Sequence, residues 1–308
     1  MKVYVHGPNE NWIVDRFTDE FRTYCSDISV NNPYDADIIW LIADWCYNQL
    51  PYDLLKKKKV FTTNFHIVPE KFNSNSRIDF MKRDVITDLY HSSCNKTEEY
   101  LRDVGATKPI WTGLTWVNGS LWKKLENKKE IRRGFGIHDD EFVIGSFQRD
   151  TEGHDLKSPK LEKGPDIFCD YVEKVAKDKK VVVLLGGWRR EYVINRLNNS
   201  NIRFIFLKLP NFETLNKMYN ALDLYVVGSR YEGGPQSILE CAAIETPIIS
   251  TDVGVASHIL SNESISKEIS AESLLKCLPN IDYAKKKVQE LLIPQGFNIF
   301  REKLKELL

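Results

Sequence analysis

Residues 229–251 read SRYEGGPQSILECAAIETPIIST, and the fold turns on what surrounds them. Immediately upstream, residues 222–229 (LDLYVVGS) form a short apolar, β-branched run of strand type. Residues 230–235 (RYEGGP) make a glycine-rich turn, and QSILECAAIE from Gln236 carries helical composition. Gly233 and Gly234 let the backbone approach a ligand closely, and Pro235 suits the first helical turn. Strand, loop and helix in that order make one step of an α/β fold, and such folds bind ligands at the carboxyl ends of their strands. The exposed amides and dipole of the helix start favour an anion such as phosphate. Glu232 borders that site, and Glu240 follows after seven intervening residues, placed to reach a ribose hydroxyl. Taken alone, the two acids read as a loop carboxylate and a solvated helix residue.

Outward from this step the same alternation continues. Strand-like runs stand at 2–6, 37–43, 59–64 and 84–90, with helical patterns between them at WIVDRFTDEFRTY and at KTEEYLRDVG, which closes on a glycine. Between 118 and 134 the pattern lapses into NGSLWKKLENKKEIRRG, after which a second series runs through 142–147, 180–187, 202–207 and 222–229. Alternating strands and helices imply parallel sheets covered on both faces. The expected organisation is a Rossmann-like domain over 1–118, a charged joint over 119–140, a second Rossmann-like domain over 141–285 and a helical tail over 286–308. Two doubly wound domains facing a cleft are the expected architecture. The tail GFNIFREKLKELL sets Phe297, Phe300, Leu304 and Leu307 on one helical face, which is expected to dock on the body and cross back to the first domain.

Bulk properties exclude several classes. The 308 residues are 42% hydrophobic and 28% charged, and 43 basic residues balance 43 acidic ones, so no net positive field points to nucleic acid. Apolar runs such as IIWLIA and VVVLL are too short to span a bilayer, and no signal-peptide core follows Met1. Cys25, Cys46, Cys94, Cys169, Cys241 and Cys277 lie far apart without a Cys-x-x-Cys, and read as reduced thiols of a cytoplasmic protein.

A second strand-to-helix loop carries cations. In GSFQRDTEGHDLKSPKLEKGPDIF (145–168), Arg149 follows the strand and Lys163-Gly164-Pro165 opens a helix, a pair able to clamp a diphosphate. With these two loops together, residues 145–254 resemble the donor-binding domain of retaining glycosyltransferases of the GT-B fold, the large family 4 group. The resemblance rests on its Glu-x7-Glu signature, its downstream G-x-P-x-x-x-T run and its Arg…Lys-Gly phosphate clamp. It implies that Glu232 contacts the donor sugar near the reacting carbon and that Glu240 binds the ribose. It further implies that Arg149 and Lys163 hold the diphosphate with help from amides near Gly233, Gly234, Pro235 and Gln236. The loop between Arg149 and Lys163 is longer than the family norm, which leaves Lys157 and Lys160 as competitors. Where the family often has a glycine after Gly254 and an acid three places on, this chain has Val255 and His258; His258 reads as a local substitute or a plain strand residue, and no role is assigned to it.

The first domain resembles the family only in layout. His66, in the loop after a strand, corresponds to the cleft histidine that touches the donor sugar in such enzymes, and is otherwise a structural residue. Asn9, Glu10, Asn11 and Trp12 offer hydrogen bonds and a stacking face on the acceptor side, with Trp12 equally suited to helix packing. Asp35-Ala36-Asp37 imitates a metal-binding Asp-x-Asp but precedes its strand, on the edge away from ligands, and reads as a turn. The lysine run 56–59 reads as a solvated helix end, with an anionic membrane patch as the alternative. The expected activity is sugar transfer from a nucleotide-diphosphate sugar to a glycan, lipid-linked or small acceptor, with retention, no metal and no cofactor. The alternative is a nucleotide-sugar-binding protein of the same fold that is epimerase-like or inactive. A pyridoxal-binding lysine context, which a phosphorylase would need, is not found.

Overall fold

The computed structural model describes residues 1–10, 13–153 and 157–308. These form two compact units, Met1–Trp116 with Leu291–Leu308, and Val117–Glu290.

The first unit is built on five parallel strands, β1 (Val3–His6), β2 (Ile38–Leu41), β3 (Lys59–Asn64), β4 (Leu89–Ser92) and β5 (Ile110–Thr112), paired in chain order. Strands covered on both faces need apolar residues at successive positions, and β2 is buried at all four. Helix Ile13–Tyr24 lays Val14, Phe17 and Phe21 on the sheet at helical spacing. The tail returns to this unit. Phe297, Phe300 and Leu304 of the C-terminal segment are buried against Trp40 and Trp116, with Leu307 packed beside them. Each such side chain contributes about 1.5–3 kcal/mol of burial, so helix Asn298–Glu306 is part of the first core. The expected strand at 84–90 is shared between two elements: Asp84–Ile86 end helix Ser74–Ile86, capped by Asn73, and β4 starts only at Leu89.

The second unit has six parallel strands, β6 (Phe142–Ser146), β7 (Val181–Gly187), β8 (Arg203–Lys208), β9 (Leu224–Val227), β10 (Ile248–Thr251) and β11 (Ile265–Ser266), in the order β11-β10-β9-β6-β7-β8. Both units are Rossmann-like, and together they are of the GT-B class. The segment 119–140 belongs to the second unit and carries a helix, Lys128–Gly134. Its charges serve the carboxyl end of helix Phe212–Ala221: Arg132 Nε donates to the Ala221 carbonyl (2.9 Å), Lys128 Nζ to that of Leu222 (2.6 Å), and Arg132 pairs with Asp223 (2.6 Å). Cations at a helix carboxyl end satisfy its last carbonyls and complement its dipole. Among the described residues no helix is long and apolar enough to cross a membrane.

Candidate functional site

In the second sheet the winding reverses between β6 and β9, which are direct neighbours, with Ile144 opposite Leu224 and Gly145 opposite Tyr225. From β6 the chain proceeds to β7 on one side, and from β9 to β10 on the other. A crevice outside the carboxyl ends of such a strand pair is where open α/β sheets bind ligands. The two loops singled out in the sequence leave from these two strands.

The long β6 loop folds back on itself. Glu152 N donates to Ser158 O (3.0 Å) and Lys160 N to Asp150 O (2.8 Å), so the chain returns to the strand end before its helix begins. There it is fastened to the β9 loop: Arg230 N and Tyr231 N donate to Glu162 O (2.8 and 3.1 Å), and the Arg230 guanidinium grips Asp166 through both nitrogens (2.8 and 2.6 Å). Gly164 makes this approach possible. It has φ +59°, and a Cβ there would lie 1.8 Å from the Gly228 carbonyl oxygen. Helix Pro165–Val175 starts directly after it.

This junction brings Lys163 and Glu232 into contact. Lys163 Nζ donates to Glu232 Oε2 at 2.6 Å, and Ser229 Oγ donates to Glu232 Oε1 at 3.2 Å. Both ionic side chains are largely shielded from water. Lys160 pairs instead with Glu162 (2.7 Å), and Lys157 is exposed. Arg149 is half-buried nearby. Burial, aided by the charges of Arg149 and Lys163, pulls the Lys160 ammonium below its usual range despite the Glu162 bond. Three cations therefore converge on the strand end.

Beside them helix Gln236–Ile244 begins at Pro235 with no side chain capping it, as an anion-binding start requires. Gly233 and Gly234 line that start. The loop after β10 presses on it at Gly254, whose φ is +53° and where a Cβ would stand 2.4 Å from Gly233 O. Glu240 is 5% exposed, and its Oε2 accepts from the Tyr219 hydroxyl at 2.7 Å. It is not the solvated helix residue of the alternative reading. Burial and the Glu240 charge hold the Tyr219 phenol well above its ordinary range. In the downstream run the first position is Glu245, not glycine. It takes φ +65° and is held by Lys124 and Lys285, each at 2.8 Å. His258 is exposed on the short helix Ala256–Ile259 and is not a strand residue.

Three groups at this edge were missed in the sequence. Ser229 and Tyr219 orient the two glutamates, and neither stands in a motif. Arg190 is buried with Asp150, its Nε 2.8 Å from Oδ2, and donates to the carbonyls of Ser146 and Gly186, tying the ends of β6 and β7 together. The pair of arginines after β7 signalled a charged loop but not which one turns inward.

The remaining candidates belong to the first unit. His66 is half-buried and follows β3. Asn9 and Glu10 follow β1 and are exposed, and the Asp15 carboxylate binds their amides (2.8 and 2.7 Å), folding this loop onto the start of helix Ile13–Tyr24. Asn11 and Trp12 lie outside the described residues. Asp35 and Asp37 precede β2 at the amino edge, where Asp37 accepts from Lys2 N (2.7 Å). Among the described residues no three His, Cys, Asp or Glu side chains converge as a metal cluster.

Residues 156–278 match the family model described as glycosyl transferases group 1. Two relatives are an uncharacterised glycosyltransferase of Methanocaldococcus jannaschii (28% identical over 160 residues, 51% of this chain and 39% of the relative) and the alpha-galactosylglucosyldiacylglycerol synthase of Streptococcus pneumoniae (22% over 241 residues, 70% and 61%). The chain thus spans less than two thirds of the length of the curated relatives it matches. Among solved structures, Anabaena HepE in complex with UDP and glucose superposes with TM-score 0.80 at 12% identity, covering 99% of both chains. That likeness extends over the whole fold.

Proposed function

We propose that this protein is a glycosyltransferase that moves a sugar from a nucleotide-diphosphate donor, of the UDP-sugar kind, to an acceptor hydroxyl with retention of configuration. The observation that carries the proposal is the Lys163–Glu232 contact beside the uncapped start of helix Gln236–Ile244, at the reversal of the second sheet. The match of residues 156–278 to group 1 glycosyl transferases and the UDP complex of the superposed structure support it.

On this reading the diphosphate oxygens take the amides near Gly233–Gln236 and the charges of Lys163 and Arg149. A bound diphosphate competes with Glu232 for Lys163, which leaves Glu232 facing the sugar. The bond from the anomeric carbon to the diphosphate oxygen breaks as that carbon bonds the acceptor oxygen on the same face, and the acceptor proton passes to the departing phosphate. Positive charge at the anomeric carbon is stabilised by Glu232, and negative charge on the leaving group by the cations and amides already oriented toward it. Glu240, set by Tyr219, holds the ribose, and His66 touches the donor sugar. The acceptor is a glycan, a lipid-linked sugar or a small molecule, bound by the first unit.

The test is turnover of a series of UDP-sugars with acceptors, with the anomeric configuration of the product read by NMR. Glu232→Gln is expected to lower turnover by about 10²-fold or more, the scale for losing one preorganised group, while UDP binding changes little. Glu240→Ala is expected to weaken UDP and donor alike by roughly tenfold to a hundredfold, the worth of a charged hydrogen bond. An inverted product overturns retention. Tight donor binding with no turnover on any acceptor assigns the chain to the epimerase-like or binding class.

A further inference from the structure

The first unit carries a surface that its fold does not explain. Helix Ser74–Ile86 buries Phe80, Arg83 and Ile86 on one side, yet Ile78, Met81 and Val85 on another are 54%, 61% and 64% exposed. At spacings of three and four they form one continuous stripe. Single exposed apolar residues are ordinary, but a stripe on a helix already anchored by its other face is not.

Lysines adjoin the stripe. Val85 lines a cavity of about 560 Å³ together with Lys56, Lys57, Lys59 and Lys108, at the amino edge of the sheet. Tyr52 ties the two parts together: its hydroxyl donates to the Lys82 carbonyl at 3.1 Å, and Lys56 Nζ stands 4.7 Å above its ring. Lys56, Lys57, Lys59 and Lys82 are exposed. Of the acids nearby, Asp53 is exposed beside Tyr52, Asp79 pairs with Arg83 (3.4 Å) and accepts from the Tyr47 hydroxyl (2.7 Å), and the two on the rim also make contacts within the protein. Asp37 accepts from Lys2 N, and Asp88 from Val60 N (2.8 Å) and more distantly from Lys59 (3.4 Å). Lys58 is turned inward, donating to the carbonyls of Tyr34 and Ala36 (2.9 and 2.7 Å). The chain has no net charge, so this positive surface is local.

We propose that this surface docks the protein on an anionic lipid bilayer, the lysines meeting the headgroups and Ile78, Met81 and Val85 entering the interface. The charge complementarity selects a negative surface, and the apolar stripe beside it selects one with a hydrocarbon layer. Lysines near an anionic membrane and a few inserted apolar side chains are each marginal anchors and hold firmly only together. Within the first unit, Val85 and these lysines lie at the amino edge of the sheet, opposite the strand ends that His66, Asn9 and Glu10 follow.

The experiment is cosedimentation of the whole protein with vesicles of phosphatidylcholine alone and vesicles in which phosphatidylglycerol replaces part of it, at low and high salt. Binding is expected only with phosphatidylglycerol, weakening with salt. Lys56→Ala and Lys57→Ala should each lower the partition coefficient roughly fivefold, which corresponds to about 1 kcal/mol per basic residue. Met81→Ser with Val85→Ser, both exposed, should weaken binding at low and high salt alike. UDP binding and thermal unfolding of all variants serve as folding controls. Equal binding to both vesicle types, or none to either, overturns the proposal. So does binding that the lysine variants abolish and the Met81/Val85 variant leaves intact, with RNA or polyphosphate competing fully: that result identifies a soluble polyanion instead.

Discussion

The two sheets of this chain are built from the same kind of strand yet wound differently. In the first, β1 to β5 lie in chain order, and each step moves the same way; in the second, the order reverses between β6 and β9. Only a reversal sends the chain away from two neighbouring strands in opposite directions and opens a crevice outside their carboxyl ends. The ionic chemistry follows this difference. At the reversal Lys163, Glu232 and Ser229 meet with Lys160 and Arg149 close by. In the first unit, polar groups at the corresponding edge are turned on one another. Trp40 Nε1 donates to Thr63 Oγ1 (2.9 Å), Thr63 pairs with His91 Nδ1 (3.1 Å), and His91 Nε2 meets Gly113 O (2.9 Å), enclosed by Phe61, Trp111 and Phe300. One sheet edge gathers charged side chains, and the other pairs these polar groups with one another.

The sharpest way to break this comparison is at two glycines of positive φ, one in each unit. At Gly164 a methyl group meets the Gly228 carbonyl at 1.8 Å, and at Gly105, with φ +99°, it meets nothing within 4 Å. Gly105→Ala should therefore cost only backbone strain, about 1–2 kcal/mol. Gly164→Ala adds a backbone clash, and the two together should cost about 3–5 kcal/mol and separate Lys163 from Glu232. Thermal unfolding measures the first difference, and UDP affinity the second. Equal costs at the two sites would mean that the loops are not locked as described.

A second test falls on the first unit alone. Burial drives His91 down to about 4 from an ordinary value of 6.5. A histidine whose folded pKa is depressed contributes stability present above the unfolded pKa and lost as pH falls through the interval down to the folded one. The first unit should therefore weaken between about pH 6.5 and 4, by roughly 3 kcal/mol at most if His91 acted alone, at 1.36 kcal/mol per unit. Asp44 opposes it, since burial raises its carboxyl and favours the protonated form as pH falls. His91→Gln isolates the histidine term: hydrogen exchange of the first unit should then lose this pH slope. A slope unchanged by the substitution assigns it to other groups.

How much of this was legible beforehand differs between the units in an instructive way. Most strands were marked by short β-branched runs, and Glu232, Lys163 and Gly164 by their places in loops between strand and helix. The direction of winding was not, because alternating strands and helices look the same whether or not their order reverses. Ser229 and Tyr219 were invisible for a related reason: an ordinary serine and tyrosine acquire meaning only once a glutamate from elsewhere is laid against them. In the segment 119–140 the charge was legible but not its use: Arg132 and Lys128 spend theirs on the carbonyls at the end of another helix. At 84–90 apolar content alone did not separate the last turn of a helix from the strand behind it.

The smallest expected effect is a null one, and it bears on what the reversal has assembled. A diphosphate leaving group needs positive charge, which a divalent cation held by carboxylates supplies in one solution to the problem. Here the strand ends at the reversal present Lys163, Lys160 and Arg149 around an uncapped helix start, and Glu232 is already engaged by Lys163 at 2.6 Å. A cation entering that space meets like charges, and the adjacent acids Glu162 and Glu232 are each bound to a lysine. The paired aspartates Asp35 and Asp37 lie at the amino edge of the other sheet. Donor turnover should therefore continue in excess chelator with little change, while Lys163→Ala and Arg149→Ala each cost about 2–5 kcal/mol, the range for truncating one partner of a shielded charge pair. Loss of activity in chelator with recovery on adding magnesium or manganese would show that the fixed cations are insufficient. Two unaffected variants would pass the phosphate role to Lys160, the remaining cation of the cluster.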